Sequence, residues 1–442
     1  MRRFALAIPL ALLLSAACSI TAPSALAPGS STAAPSASSL ALPKPIPQPI
    51  TRTSPGAQVA WLDAQPSSDG RVLIGIDPAG STVAKLELLF LGVSRVARSA
   101  DGASLFLFAE DRIDVYSALD GKRMKTYRAA GARVIDSAFS ADGRWVALLL
   151  PASALQLLDL QTGLSQTFTV GHDPNARVPG MGGNIASVIW TTLAFAPDST
   201  HLYVLTDWGG PARLSAFELS AAVWSPTTVA LDGQGTIRFP TCNGPAAVMK
   251  VISGGRTVAV FCNYDGAVWL FDLAALTSAT VIHPSMANPF WIAPIFTPDG
   301  QLLYLHQWPA FGDVMQVVDL TTRRLAGPVP TPTKVADPGP FSWLMPVAYA
   351  GGTASTVPIS PDGLKLYSAT GDGVMVLRIP DLKPIARLGA GIGMDEVWIS
   401  GDGRTVFARA GGHLVIARDD GSQMRTIDLA TPYVGFVASE HG

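Results

Sequence analysis

A short acidic turn keeps returning along this chain, and it limits the fold more than any other feature. It reads Ser68-Asp69-Gly70, Ala100-Asp101-Gly102, Ala141-Asp142-Gly143, Pro197-Asp198-Ser199, Pro298-Asp299-Gly300, Pro361-Asp362-Gly363 and Gly401-Asp402-Gly403. Ser253-Gly254-Gly255 is a degenerate eighth copy. From each Asp (or Gly254) to the next the steps are 32, 41, 56, 56, 45, 63 and 40 residues. Asp-Gly supplies the positive backbone angles of a tight hairpin, and a preceding Pro presets the angle before it.

Each turn is followed by an apolar strand, as in Arg144-Trp-Val-Ala-Leu-Leu149, His201-Leu-Tyr-Val-Leu205 and Arg256-Thr-Val-Ala-Val-Phe261. A third strand ends in an acidic step at Asp159, Glu218, Asp272 and Asp319. A weaker fourth closes most units, for example Gln166-Thr-Phe-Thr-Val170. Such strands bounded by turn clusters predict an all-β chain. A four-stranded unit cannot bury both of its faces alone, so the units must stack in a ring. Uneven steps above a floor of about 40 residues describe one propeller blade with insertions. Because the acidic steps repeat with the blade, they read as turn caps rather than catalytic groups.

Segments such as Ser360-Pro-Asp-Gly-Leu-Lys-Leu-Tyr367 and Asp372-Gly-Val-Met-Val-Leu-Arg378 resemble the repeats of WD40-like and YVTN-type bacterial β-propellers. The likeness spans roughly residues 57 to 430. It implies a β-propeller of four-stranded antiparallel blades and says little about function. The Trp-Asp pair of eukaryotic WD40 repeats is absent. Eight turns predict eight blades, or seven if one unit is not a true blade. The first step of 32 residues leaves little room for a fourth strand between Leu91 and Val96. The extra strand-like stretch Tyr433-Val-Gly-Phe-Val437 is expected to complete the N-terminal blade and remove the exposed edges.

The opening residues carry an address. Arg2 and Arg3 precede an apolar run from Phe4 to Leu14, then Ser15-Ala16-Ala17-Cys18. The run is too short to span a bilayer, which takes about 20 apolar residues. A basic start, a short apolar core and small residues before a cleavage point describe an export signal over residues 1–17. The Cys after small residues resembles a bacterial lipobox, with Ser15 standing where Leu is usual. That resemblance implies lipidation of Cys18 and a lipid-anchored, extracytoplasmic protein of the bacterial envelope. Residues 18–55 are rich in Ala, Ser and Pro, with Pro43, Pro45, Pro47 and Pro49 alternating. They read as a disordered tether that ends in a stiff spacer. The propeller domain is assigned to residues 56–442.

In an up-and-down blade, the first-to-second and third-to-fourth connections lie on one face and the other connections lie opposite. The Asp-Gly turns are therefore all expected on one plain face, with the long insertions converging on the other rim. Function concentrates in long loops on a rigid scaffold. The ligand or partner rim is predicted to carry His172, Trp190, Asp207, Trp208, His283, Trp291, His306, Trp308 and Trp343. Aromatics with a few polar groups suit a protein, peptide or glycan ligand; the alternative is that they plug the loops onto the propeller. No metal-ligand spacing and no cofactor motif accompany them. Cys242 and Cys262 should both approach this rim, and export favours a disulfide, worth about 3 kcal/mol by loop entropy. Two buried thiols are the alternative.

A formal net charge of −2 excludes a basic nucleic-acid binder. No catalytic constellation is found: Gly163-Leu-Ser165 lacks the closing Gly of a nucleophile elbow. The predicted role is a monomeric, envelope-anchored ligand- or protein-binding module acting through its loop-rich face. The alternatives are a platform in an envelope complex and a propeller enzyme resembling lactonases or quinoprotein dehydrogenases, with its site at the central channel mouth.

Overall fold

A computed structural model describes residues 54–437 apart from 171–189, 208–212, 220–225, 231–246, 285–291, 308–313, 331–357 and stretches of four residues or fewer. The proposed signal at 1–17, Cys18 and nearly all of the tether lie outside the described residues.

Strands β1 (Ala60–Ser67), β2 (Gly70–Ile76) and β3 (Thr82–Glu87) begin blade 1. Blade 2 is β4 (Arg95–Arg98), β5 (Ser104–Phe108), β6 (Arg112–Ser117) and β7 (Arg123–Arg128). Blade 3 is β8 (Asp136–Phe139), β9 (Trp145–Leu150), β10 (Ala154–Asp159) and β11 (Ser165–Thr169). Blade 4 is β12 (Trp190–Phe195), β13 (His201–Asp207), β14 (Arg213–Glu218) and β15 (Pro226–Ala230). Blade 5 is β16 (Ala247–Val251), β17 (Thr257–Cys262), β18 (Val268–Asp272) and β19 (Thr277–Ile282). Blade 6 is β20 (Ile292–Phe296), β21 (Leu302–Gln307), β22 (Val314–Asp319) and β23 (Arg324–Pro330). Blade 7 has β24 (Lys365–Thr370), β25 (Gly373–Arg378) and β26 (Lys383–Leu388), and a single bridge from Ile359 to Leu366 holds its inner place. Blade 8 is β27 (Glu396–Ile399), β28 (Thr405–Ala410), β29 (His413–Arg418) and β30 (Arg425–Asp428). Strand β31 (Tyr433–Phe436) then pairs antiparallel with β1, giving blade 1 the order β3-β2-β1-β31.

The chain thus folds as an eight-bladed, all-β propeller, closed by the strand expected to close it. The packing explains why the middle strands read as continuous apolar runs. Each blade is covered on both faces, so β9, Trp145–Leu150, is buried along its whole length. The outermost strands face solvent, and β7 and β11 are exposed at most positions. Eight apolar clusters each join two adjacent blades. The seal between blades 8 and 1 sets Trp398, Phe407 and Leu414 against Ala60, Leu62 and Phe436. On the other side of blade 1, Trp61, Leu73 and Val437 pack on Leu105 and Leu107 of blade 2.

The Asp-Gly turns do not all share one face. In blades 2, 3 and 8 they join the first and second strands, but the connection around Ser68-Asp69-Gly70 joins β1 to β2, the second and third places of blade 1. The reason is that β31 takes the innermost place, so the chain enters blade 1 one strand late. From that connection to the next Asp-Gly turn only three strands intervene, which accounts for the short step of 32 residues. Where blade 1 would have its first turn, a single helical turn, Pro55–Gln58, sits instead. The Gly401 amide donates to the Ala57 carbonyl at 2.9 Å, and the Gly102 turn lies against Ala57. Buried Arg98 donates to the carbonyls of Gly56 and Gly102, with its guanidinium 5.1 Å from the Trp398 ring centroid.

The first-to-second turns share a network that depends on the residue two before Asp. Ser99, Ser140, Ser360 and Ser400 donate Oγ–H to Oδ1 of Asp101, Asp142, Asp362 and Asp402 at 2.6, 2.5, 2.5 and 2.7 Å. Each Ser Oγ also accepts the backbone amide five residues on, at 2.8–2.9 Å. Third-to-fourth turns are capped as expected. Asp159 Oδ1 accepts the amides of Gln161 and Thr162, and Asp319 Oδ1 those of Thr321 and Thr322. Among the described residues, no helix is long and apolar enough to cross a membrane.

Candidate functional site

Strand order fixes which loops share the other rim. The blade-to-blade connections there run over 88–94, 129–135, 170–189, 231–246, 283–291, 331–358, 389–395 and 429–432. The long ones follow blades 3 to 6, and short ones surround blades 8, 1 and 2. Connection length is therefore uneven around the ring, and most of the long connections lie outside the described residues.

Beside the long connections, Trp190 begins β12 and its backbone pairs with that of Asp207 at the end of β13. His306 pairs across β20 and β21 with Ala293, one step from the end of β21. His283 is exposed just after β19. Cys262 ends β17 opposite Ala247, whereas Cys242 lies outside the described residues. His172, Trp208, Trp291, Trp308 and Trp343 also lie outside the described residues. Trp190, Asp207, His306 and Cys262 are thus placed by strand register alone. Among the described residues, no group of His, Cys, Asp or Glu could hold a metal ion.

Beside the short connections the side chains are described. Inner strands start at this rim, so their first residues ring the mouth. Between blades 2 and 3, Arg95 of β4 donates from Nη2 to Asp136 Oδ1 at 2.9 Å and from Nε to Ser137 Oγ at 3.0 Å. Asp136 also accepts the Ser137 amide at 2.9 Å. Burial in the recess raises the Asp136 carboxyl above the usual range, opposed by Arg95 and that amide.

Between blades 8 and 1, Glu396 of β27 faces Arg409 of β28, with Nε 3.8 Å from Oε2. Both side chains are largely buried, at 11% and 15% exposure for Glu396 and Arg409. The Phe436 amide of β31 donates to Glu396 Oε2 at 3.2 Å. A Cβ added at Gly435 would stand 2.9 Å from the same oxygen, so glycine lets the closing strand approach the carboxylate. Burial pushes Glu396 up to about 7, against the pull of Arg409 and the Phe436 amide, with Asp395 adding to the rise. A carboxyl poised near neutrality can hold or release a proton at working pH.

Two carboxylates hold the short loop beside this pair. Asp372 accepts the Gly391 amide at 2.6 Å and pairs with Arg387, and Asp395 accepts the Gly411 amide at 2.9 Å. At the edge of the same sector, His413 Nδ1 lies 2.7 Å from Asp428 Oδ1. The sequence signal for the mouth lay in the first residue of each inner strand, a position that means little until the ring is assembled.

No protein-family model matches this chain. No curated protein matches it either. Solved structures do resemble it. Dihydro-heme d1 dehydrogenase NirN, in complex with DHE, superposes with a TM-score of 0.58 at 14% identity, covering 90% of this chain and 77% of that one. The C-terminal WD40 domain of Sif2 gives a TM-score of 0.50 at 13% identity, covering 80% and 90%. Likeness at this identity establishes a WD40-like β-propeller fold and carries no activity across.

Proposed function

We propose that this chain is an envelope-anchored lipoprotein whose propeller binds a protein, peptide or glycan ligand through the loop-rich rim. The observation that carries the reading is the asymmetry of the rim. Connections of 9 to 28 residues follow blades 3 to 6, while those around blades 8, 1 and 2 have seven residues or fewer, so loop length is concentrated on one side of the ring. A disulfide between Cys242 and Cys262 would tie the connection of residues 231–246 to the end of β17.

Binding of the propeller to glycan and peptide arrays tests the reading. Trp208→Ala and Trp308→Ala are expected to reduce capture, and parental binding by both variants overturns the aromatic rim. Incorporation of a fatty-acid probe that disappears in Cys18→Ala tests the anchor separately. An enzymatic reading has one observation in its favour, the Glu396 carboxyl that titrates near 7 beside the mouth. It requires turnover that Glu396→Gln abolishes in a folded protein.

A further inference from the structure

Blade 2 has an outer edge unlike the others. Strand β7 is the last strand of its sheet and pairs with β6 on its inner side, and at its end the Arg128 carbonyl accepts from Gln156 Nε2 of blade 3 at 3.5 Å. Its backbone therefore offers free N–H and C=O groups along Arg123–Tyr127. It also holds an excess of cations. Arg123, Lys125 and Arg128 are exposed on the strand, and exposed Arg133 follows it. Nearby carboxylates are already taken: Asp111 and Asp114 by Arg112, and Asp120 by Lys122. Thr126 donates to Asp114 as well, at 2.6 Å. Among the described residues, Arg123, Arg128 and Arg133 meet no carboxylate. Lys125 reaches only the Leu160 carbonyl at 3.1 Å and the Tyr127 ring at 4.4 Å.

Other outer strands carry fewer cations, with single arginines Arg324 on β23 and Arg425 on β30. Lys85 pairs with Glu87 on β3, Arg387 with Asp372 on β26, and β11, β15 and β19 carry no charged residue. In a chain of net charge −2, this edge is a local basic field. Met124, half exposed between two of the cations, adds an apolar contact.

We propose that β7 is a docking strand for an acidic, extended segment of a partner protein, which adds beside it as a fifth strand of blade 2. Main-chain pairing along the edge would hold the segment, and Asp or Glu side chains on one of its faces would meet Arg123 and Arg128, which the irregular register at Met124 brings to the same face, while Lys125 lies on the other face over Tyr127. This surface lies on the outside of the ring, separate from the rim and the channel mouth, and does not depend on the role proposed for them. The competing account is protective, since cations on an edge strand discourage self-pairing.

Fluorescence polarisation with a labelled peptide of alternating Glu and Val decides between these accounts. The probes are that peptide, its Lys-Val counterpart, a backbone N-methylated Glu-Val peptide and dextran sulfate. The expected result is saturable binding of the Glu-Val peptide alone, weakened by salt. The variant Arg123→Gln/Lys125→Gln/Arg128→Gln, melting as the parent does, is expected to bind at least about tenfold more weakly. Three results overturn the proposal. One is no binding of the Glu-Val peptide to the parent, with the triple variant self-associating or not. Another is equal binding of the N-methylated peptide or of dextran sulfate, which would show a field for polyanions without strand pairing. The third is unchanged affinity in the folded triple variant.

Discussion

Replacing Glu396 by Gln tests how the closing strand is held, because the carboxyl touches it. Its folded-state pKa stands at about 7 against an ordinary 4.5. Each unit of displacement corresponds to 1.36 kcal/mol, so the shift amounts to about 3 kcal/mol of linked stability. The sign follows from the direction. A carboxyl raised on folding contributes its full stability below the unfolded value and loses it as pH climbs through the folded value. The parent is therefore expected to weaken by up to about 3 kcal/mol between about pH 4.5 and about pH 8 on account of this group. Gln cannot titrate and its Oε1 still accepts the Phe436 amide, so the variant lacks that component. Removing the partner of Arg409 adds a cost that does not vary over this range. The quantity to measure is thus the change in the difference between the two proteins with pH. Urea unfolding at a series of pH values should show the variant gaining on the parent by about 2–3 kcal/mol as pH rises. Parallel pH profiles would refute the reasoning, and so would a variant that loses ground as pH rises. Either outcome would mean that Arg409 and the Phe436 amide hold the charged form more firmly than burial opposes it.

Two further expectations rest on the ring. Phe436→Ala removes a buried side chain from the seal between blades 8 and 1, and about 3–5 kcal/mol of stability should go with it, read as a fall in the urea midpoint. A loss no greater than that of a surface substitution would mean that β31 is not needed for closure. Gly373→Ala places a side chain where φ is +107° and a Cβ would meet the Leu388 carbonyl oxygen, so a fall of at least about 1–3 kcal/mol is expected from thermal unfolding. An unchanged melting temperature would show that this hairpin relaxes freely.

Local chemistry carried the fold well and the site poorly. Asp-Gly turns and apolar strands are written over a few adjacent residues, so blade number and the role of Tyr433–Phe436 could be read directly. The face of the first turn could not. The same three residues serve a first-to-second or a second-to-third connection, and only the entry of β31 into the innermost place distinguishes them. The Ser or Thr two places before most of the Asp residues was present in the sequence as a second part of the motif. Its buried hydroxyl bonds became evident only in the folded turn. Glu396, Arg409 and Phe436 are brought together by register in one blade and packing against the next. Arg95 and Asp136 stand forty-one residues apart in sequence and meet only because each begins an inner strand.

The entry of β31 beside β1 also sets an order of assembly. Every other strand of the ring is synthesised before the one that finishes blade 1, so a chain emerging from a ribosome or a translocation pore remains an open arc for most of its production. Through that interval the flank of β1 lacks its partner strand, and the face of blade 1 that blade 8 will cover stays open. A chaperone that shields unpaired strand edges would have its longest opportunity there, and chains halted before residue 433 should be the ones most prone to clump or be degraded.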